Sequence, residues 1–187
     1  KYLVFGDVHS SPGEDMSRAD YLASMIIDQK PEVVINLGDT VDFASLSSYD
    51  KGKRAAIGRN YRADVESSLE FQRRVWEPVK ARKKKLPETY FLVGNHENRL
   101  ARALDISPEY ENAIGLDDLK LSDYYNTIVD YEGNNPGVIE LDGILFSHFF
   151  PSGVMGRPIG GDRPAYSLVM KNSQSSVQGH IHTMDFC

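Results

Sequence analysis

Tyr2-Leu3-Val4-Phe5-Gly6-Asp7-Val8-His9 joins four apolar residues of strand type to a glycine, an aspartate and a histidine. The pattern returns at Val33 to Leu37, which runs into Gly38-Asp39-Thr40-Val41-Asp42. It returns at Tyr90 to Val93, ahead of Gly94-Asn95-His96-Glu97, and at Ile144 to Phe146, ahead of Ser147-His148. A shorter run near Ser176 to Gln178 leads into Gly179-His180-Ile181-His182. Apolar runs that are nearly continuous rather than alternating belong to strands covered on both faces.

Between these runs the period changes. Ser17 to Gln29 predicts a helix, with Leu22, Met25 and Ile26 at i, i+3, i+4, Asp15 or Ser17 as its cap and Pro31 as its stop. Tyr61 to about Lys80 predicts a second, with Val65, Leu69, Trp76 and Val79 on one stripe. Short helices broken at Pro108 and Gly115 are expected over Asn98 to Tyr125. β structure is expected over Thr127 to Tyr131, Gly137 to Leu141 and Gly143 to His148, with Asp142-Gly143 as a hairpin turn. A last helix is expected over Arg163 to Lys171. Strand–helix–strand–helix–strand is the order of an α/β domain. The 187 residues, without repeat or linker, are expected to form one domain, 1–187. The start without Met and the stop soon after His182 lead us to expect missing flanking segments, with truncation at the C-terminus.

Composition narrows the class of function. A net charge of -6 gives no global attraction to nucleic acid or to an anionic membrane, so an anionic substrate needs a local positive field such as bound metal ions. Cys187, the single cysteine, forms no internal disulfide, and no apolar run reaches membrane-spanning length. With no leader pattern at the N-terminus, the expected setting is cytoplasmic, away from membrane; oligomeric state is left open.

In open α/β sheets ligands bind beyond the carboxyl ends of the strands. Five separate segments therefore deliver metal-ligating residue types to one edge. All five histidines of the chain lie in them: His9, His96, His148, His180 and His182. Each motif alone is weak; their joint occurrence in this order is specific.

Asp-x-His, Gly-Asp, Gly-Asn-His-Glu, His and Gly-His-x-His, taken together from Gly6 to His182, resemble the calcineurin-like metallophosphoesterases. The resemblance implies a two-sheet β-sandwich flanked by helices, with a dinuclear metal site at one end. It implies that Asp7, His9, Asp39 and His182 hold one divalent ion and that Asp39, Asn95, His148 and His180 hold the other. Asp39 bridges, since a carboxylate can span two cations where an imidazole or a carboxamide cannot readily do so. Donors of nitrogen and oxygen without thiolate suit manganese, the expected metal, and equally iron, zinc or nickel. The implied activity is hydrolysis of a phosphodiester or phosphomonoester by a metal-bridging hydroxide. His96 would touch the phosphoryl group or protonate the leaving group, help worth roughly 10²–10⁴-fold. By analogy with the protein-phosphatase branch, Asp42 would fix its tautomer; a turn aspartate facing water is the equal alternative.

Elsewhere the chain departs from that branch. Asp42 is followed by Phe43-Ala44 instead of Arg-Gly, and His148 by Phe149-Phe150 instead of Gly-Gly, so the phosphate-gripping arginine is absent from its place. Arg99 and Arg157 are candidate replacements for substrate binding, against the plainer reading of exposed arginines. Lys80, Arg82, Lys83, Lys84 and Lys85 raise nucleic acid as a partner, although such cations also complement a helix C-terminus. The alternative to an enzyme is a non-catalytic scaffold or binding module on the same fold; against it, every expected ligand position is filled.

Overall fold

The computed structural model describes residues 1–82 and 85–187. Strands β1 (Tyr2–Phe5), β2 (Val33–Asn36), β3 (Glu88–Leu92) and β4 (Thr127–Val129) make a parallel sheet in that order. A parallel sheet that grows in one direction through right-handed crossovers carries its connecting helices on one face. Helices α1 (Ser17–Gln29) and α2 (Tyr61–Arg82) pack against each other there. α3 (Arg99–Ile106) and several short 3-10 turns fill the connection from β3 to β4.

Side chains alternate across a strand, so a continuous apolar run serves two layers at once. Leu3, Phe5, Val34 and Phe91 join Ala23, Ile26, Phe71, Val75 and Trp76 of the helices in one apolar cluster. Their neighbours Tyr2, Val4, Val33, Ile35, Tyr90 and Leu92 join Ile139, Leu141, Ile144, Phe146 and Val177 in another. That second group comes from a mixed sheet of β5 (Val138–Leu141), β6 (Ile144–Ser147) and a late strand, Ser176–Gln178. β5 and β6 are antiparallel across Asp142 and Gly143, both at positive φ (50° and 78°), as a two-residue hairpin turn of this twist requires. A hairpin of β7 (Pro151–Ser152) and β8 (Arg157–Pro158) follows, then α4 (Pro164–Asn172), then the late strand, now β9, parallel to β6. The hairpin was not legible in the Gly-rich stretch 153–161, because two-residue strands carry no period.

The helix stripes differ from expectation in detail. In α1 the buried residues are Ala19, Ala23 and Ile26, while Met25 is exposed. Small side chains let that helix sit close to its neighbours, a signal that a search for large apolar residues passes over. In α2 the buried face runs through Ser68, Phe71, Gln72, Val75, Trp76 and Val79, leaving Val65 and Leu69 at its margin. Met16, rather than Asp15 or Ser17, occupies the cap of α1; Asp15 accepts a hydrogen bond from the backbone N–H of Ser17 at 2.9 Å. Among the described residues, no helix is long and apolar enough to cross a membrane.

Candidate metal centre

The backbone brings the strand-end turns into register before any side chain acts. Asp7 N–H donates to Gly38 O (2.9 Å), His9 N–H to Asp39 O (2.9 Å) and Ser10 N–H to Thr40 O (2.8 Å). Gly179 N–H donates to His148 O (3.0 Å) within the second sheet, which is tied to the first by His180 N–H to both oxygens of Asp7 (2.8 and 3.0 Å). Such approaches leave no room for side chains at two positions. A Cβ on Gly94 would overlap the Asp39 carboxylate, and one on Gly179 would overlap that of Asp7. Asp7, His9, Asp39, His180 and His182 all sit at positive φ, between 48° and 70°. Left-handed backbone at five non-glycine residues of one cluster is strain of the kind that concentrates at functional sites, roughly 1–3 kcal/mol each.

The donor atoms are spaced as ligands of shared cations are. His9 Nε2 lies 3.1 Å from His182 Nε2, which lies 3.4 Å from Asp7 Oδ1. His148 Nε2 lies 2.9 Å from Asn95 Oδ1, 3.3 Å from Asp39 Oδ2 and 3.3 Å from His180 Nδ1. Asp39 Oδ2 also lies 3.8 Å from His9 Nε2, between the two groups. Two ligands each about 2.0–2.2 Å from one ion fall roughly 3–3.5 Å apart, so the spacings within each group fit, while the contact between the groups is longer. His148 shows why the fit is chemical as well as metric. Its Nδ1–H donates to Leu37 O (2.8 Å), which turns the Nε2 lone pair toward the Asn95 oxygen, the Asp39 carboxylate and the His180 nitrogen. One proton would bridge only one of those contacts; a cation answers all of them.

The electrostatics follow from burial and crowding. Burial would push the Asp39 carboxyl up, but the His148 hydrogen bond and the nearby imidazoles hold it below its ordinary value. For His148, burial pulls the imidazole down and Asp39 more than offsets it. His180 is pulled down, by burial first and then by His148.

Beside this cluster stands His96. Its Nδ1–H donates to the Asp42 backbone oxygen (2.7 Å), and the Asp42 carboxylate lies 3.1 Å from the same nitrogen. Its Nε2 lies 3.8 Å from Asp39 Oδ2 and 3.2 Å from Arg99 Nη2. Burial and Arg99 oppose protonation of His96; Asp42 and Asp39 outweigh them and raise its pKa. His9 and His96 hold the Asp42 carboxyl far below the usual carboxylate range. Arg99 Nη1 donates to the oxygens of Asp42 (2.8 Å) and Phe43 (3.2 Å), so this guanidinium braces the turn as well as facing the cluster.

Two expected contributors stand apart. Arg157 is exposed on β8 and makes no ion pair with a cluster residue among the described residues. Lys80, Arg82 and Lys85 line a groove with Val33, Glu88 and Asn126, at the opposite ends of the strands from the histidines. Lys83 and Lys84 lie outside the described residues. Conversely, sequence reasoning gave no role to Glu97. Fully buried, its carboxylate accepts the N–H groups of Asp39 (2.8 Å), Thr40 (2.7 Å) and Gly94 (3.0 Å), binding the β2 turn to the β3 turn. Burial and the Asp39 charge push its pKa up against those donors. The available signal was an acid inside Gly-Asn-His-Glu with no metal left to hold.

An α/β fold with seven such donors gathered at the carboxyl ends of its strands defines a protein of metal-binding type. A model of the calcineurin-like phosphoesterases matches residues 1–184, and the chain belongs to that family. The Gene 54 protein of Mycobacterium phage L5 is 25% identical over 178 residues, which are 91% of this chain and 65% of that protein. The chain thus spans a little under two thirds of that relative's length. A dimetal phosphatase from Danio rerio aligns over 92% of this chain and 51% of its own, at 15% identity and a TM-score of 0.33, too loose a likeness to carry an argument.

Proposed function

We propose that the chain is a metal-dependent phosphoesterase acting on a phosphodiester or phosphomonoester at the edge where the strand-end turns meet. One observation carries this reading: the donors of Asp7, His9 and His182 form one set and those of Asp39, His148 and His180 another, with Asn95 Oδ1 2.9 Å from His148, and Asp39 joins the two through a third group with His9 and His96. Two divalent ions held there, manganese by preference, supply Lewis-acid charge to the phosphoryl oxygens and lower the pKa of a water.

The chain's own residues account for the rest. His96, which the family resemblance assigns to substrate, groups with His9 and Asp39, and its Nε2 lies 3.8 Å from the Asp39 carboxylate. From there it binds a phosphoryl oxygen or passes a proton to the leaving oxygen. The Asp42 carbonyl and carboxylate fix its ring so that Nε2 is the reactive nitrogen. Glu97 and the strand-end turns keep Asp39 in place, in a single domain whose two sheets act as a sandwich across the cluster.

The test is hydrolysis of a chromogenic phosphodiester and the matching monoester, after chelation and again after adding manganese. Cleavage that disappears with the chelator and returns with manganese is expected, and the ratio of the two rates gives the ester class. Absence of turnover in protein shown to hold two ions per chain would overturn the reading.

A further inference from the structure

The long loop from Phe43 to Asn60 leaves the metal edge just after Asp42 and carries only the short 3-10 turns Ala44–Leu46 and Arg54–Ala56, and its charge is opposite to that of the molecule. The loop holds Lys51, Lys53, Arg54 and Arg59 against one acid, Asp50, and Arg62 follows in the first turn of α2, in a chain of net charge -6. Asp50 is already taken: Arg59 donates to it at 2.7 Å. Lys51, Lys53, Arg54 and Arg62 are exposed and make no ion pair among the described residues. Long loops of this kind inside a compact fold are usually functional.

The stem of the loop is fixed beside His96. Phe43, left-handed at φ 45°, follows the residue whose carbonyl holds the His96 ring. The turn Ala44–Leu46 packs on α2 and α3, and Ser45 N–H donates to the buried Asp64 carboxylate at 3.0 Å. Arg59 returns to Ala44 O at 2.9 Å, and the Tyr61 ring stacks on Phe43 with centroids 5.8 Å apart. Both ends of the loop are therefore anchored within a residue or two of Asp42. Tyr49 in this loop is 80% exposed, and Lys53 Nζ lies over its ring, 3.7 Å from the centroid.

We infer that this loop binds a single strand of nucleic acid and leads its phosphodiester backbone to the metal edge; the chemistry at that edge rests on the phosphoesterase reading, the binding does not. Exposed cations neutralise phosphates, and an exposed aromatic ring among them can stack a base without regard to its identity. A narrow polyanion can follow one positive loop, whereas an extended anionic membrane would also meet the acidic remainder of the molecule. Hydrolysis of the backbone adds the oxygen of water to phosphorus and breaks one P–O ester bond. The freed alcohol oxygen takes one proton of that water, and the other goes to solvent.

The experiment is fluorescence anisotropy of a labelled single-stranded oligonucleotide across a salt series. It compares chelated wild-type protein, the variant Lys51→Gln/Lys53→Gln/Arg54→Gln/Arg62→Gln, and Tyr49→Ala. Loss of four contacts should flatten the slope of log K against log salt by about 2–3, from roughly 0.7 per phosphate on a single strand. Tyr49→Ala should weaken binding at every salt concentration without changing the slope. With manganese restored, the quadruple variant should raise KM for the oligonucleotide and leave kcat, and turnover of the small chromogenic diester, near the wild-type values. Unchanged affinity and slope in the quadruple variant would overturn the inference, as would tighter binding to duplex or to anionic phosphatidylserine vesicles. Oligonucleotide binding without turnover of any ester would instead count against the phosphoesterase reading.

Discussion

At the scale of the residue, His96 and Glu97 are adjacent in sequence and opposite in task. His96 exposes one nitrogen to the cluster and fixes the other on Asp42. His96→Ala should therefore leave two ions bound and lower kcat by about 10²–10⁴-fold, the range for losing a positioned acid or base. Elemental analysis beside the rate decides it, since metal content falling along with activity would remove the proposed role. Glu97 never reaches the surface; it serves backbone N–H groups from two turns. In Glu97→Gln one oxygen becomes an NH₂ group facing donors, and each buried donor left unpaired costs about 1–3 kcal/mol. The expected result is a lower urea midpoint together with weaker metal retention, because the turn being loosened carries Asp39.

Among the elements, α2 reaches the sheet through a polar contact in an apolar layer. Tyr125 OH donates to Gln72 Oε1 (3.0 Å) and accepts from Asn36 Nδ2 (2.9 Å), which also donates to Thr40 Oγ1 (2.9 Å). Tyr125→Phe keeps the ring against Trp76 and Phe91 but leaves Gln72 Oε1 without its donor and takes one of two acceptors from Asn36 Nδ2, so a loss of about 1–3 kcal/mol is expected in urea unfolding, with metal content unchanged. These polar residues explain the limit of what the sequence disclosed. The strands of the first sheet were legible because Tyr2 to Phe5 and Val33 to Leu37 must satisfy a helical layer on one side and a second sheet on the other. The candidate ligands were legible because they follow those strands. Gln72 on the buried face of α2 was not, since a polar residue declares its burial only through a partner distant in sequence, here Tyr125. Arg99 was a candidate for substrate binding, but its brace on Asp42 and Phe43 and the anchoring of the 43–60 loop on Ala44 were hidden, because they lie in contacts and not in any period.

At the scale of the whole molecule, the cluster draws on both sheets. Asp7, Asp39 and Asn95 follow β1, β2 and β3, whereas His148 and His180 follow β6 and β9. Ligands crowded into strained, left-handed turns are held against their own repulsion, which a cation relieves. Since an unfolded chain presents no such set, metal binding adds to folding stability by RT ln(1 + [L]/Kd), about 2.7 kcal/mol at a free metal concentration of 100 Kd. We therefore expect chelation to lower the thermal midpoint and manganese to restore it in a concentration-dependent way. Asp39→Ala removes the carboxylate that joins the two sets, so it should hold fewer than two ions per chain and show little response to manganese. A variant at Asp39 that still gained the full shift would mean that the stabilising ion binds elsewhere, with the two sheets held by the Ile35, Leu92 and Phe146 layer and by the bonds of His180 to Asp7 and His148 to Leu37.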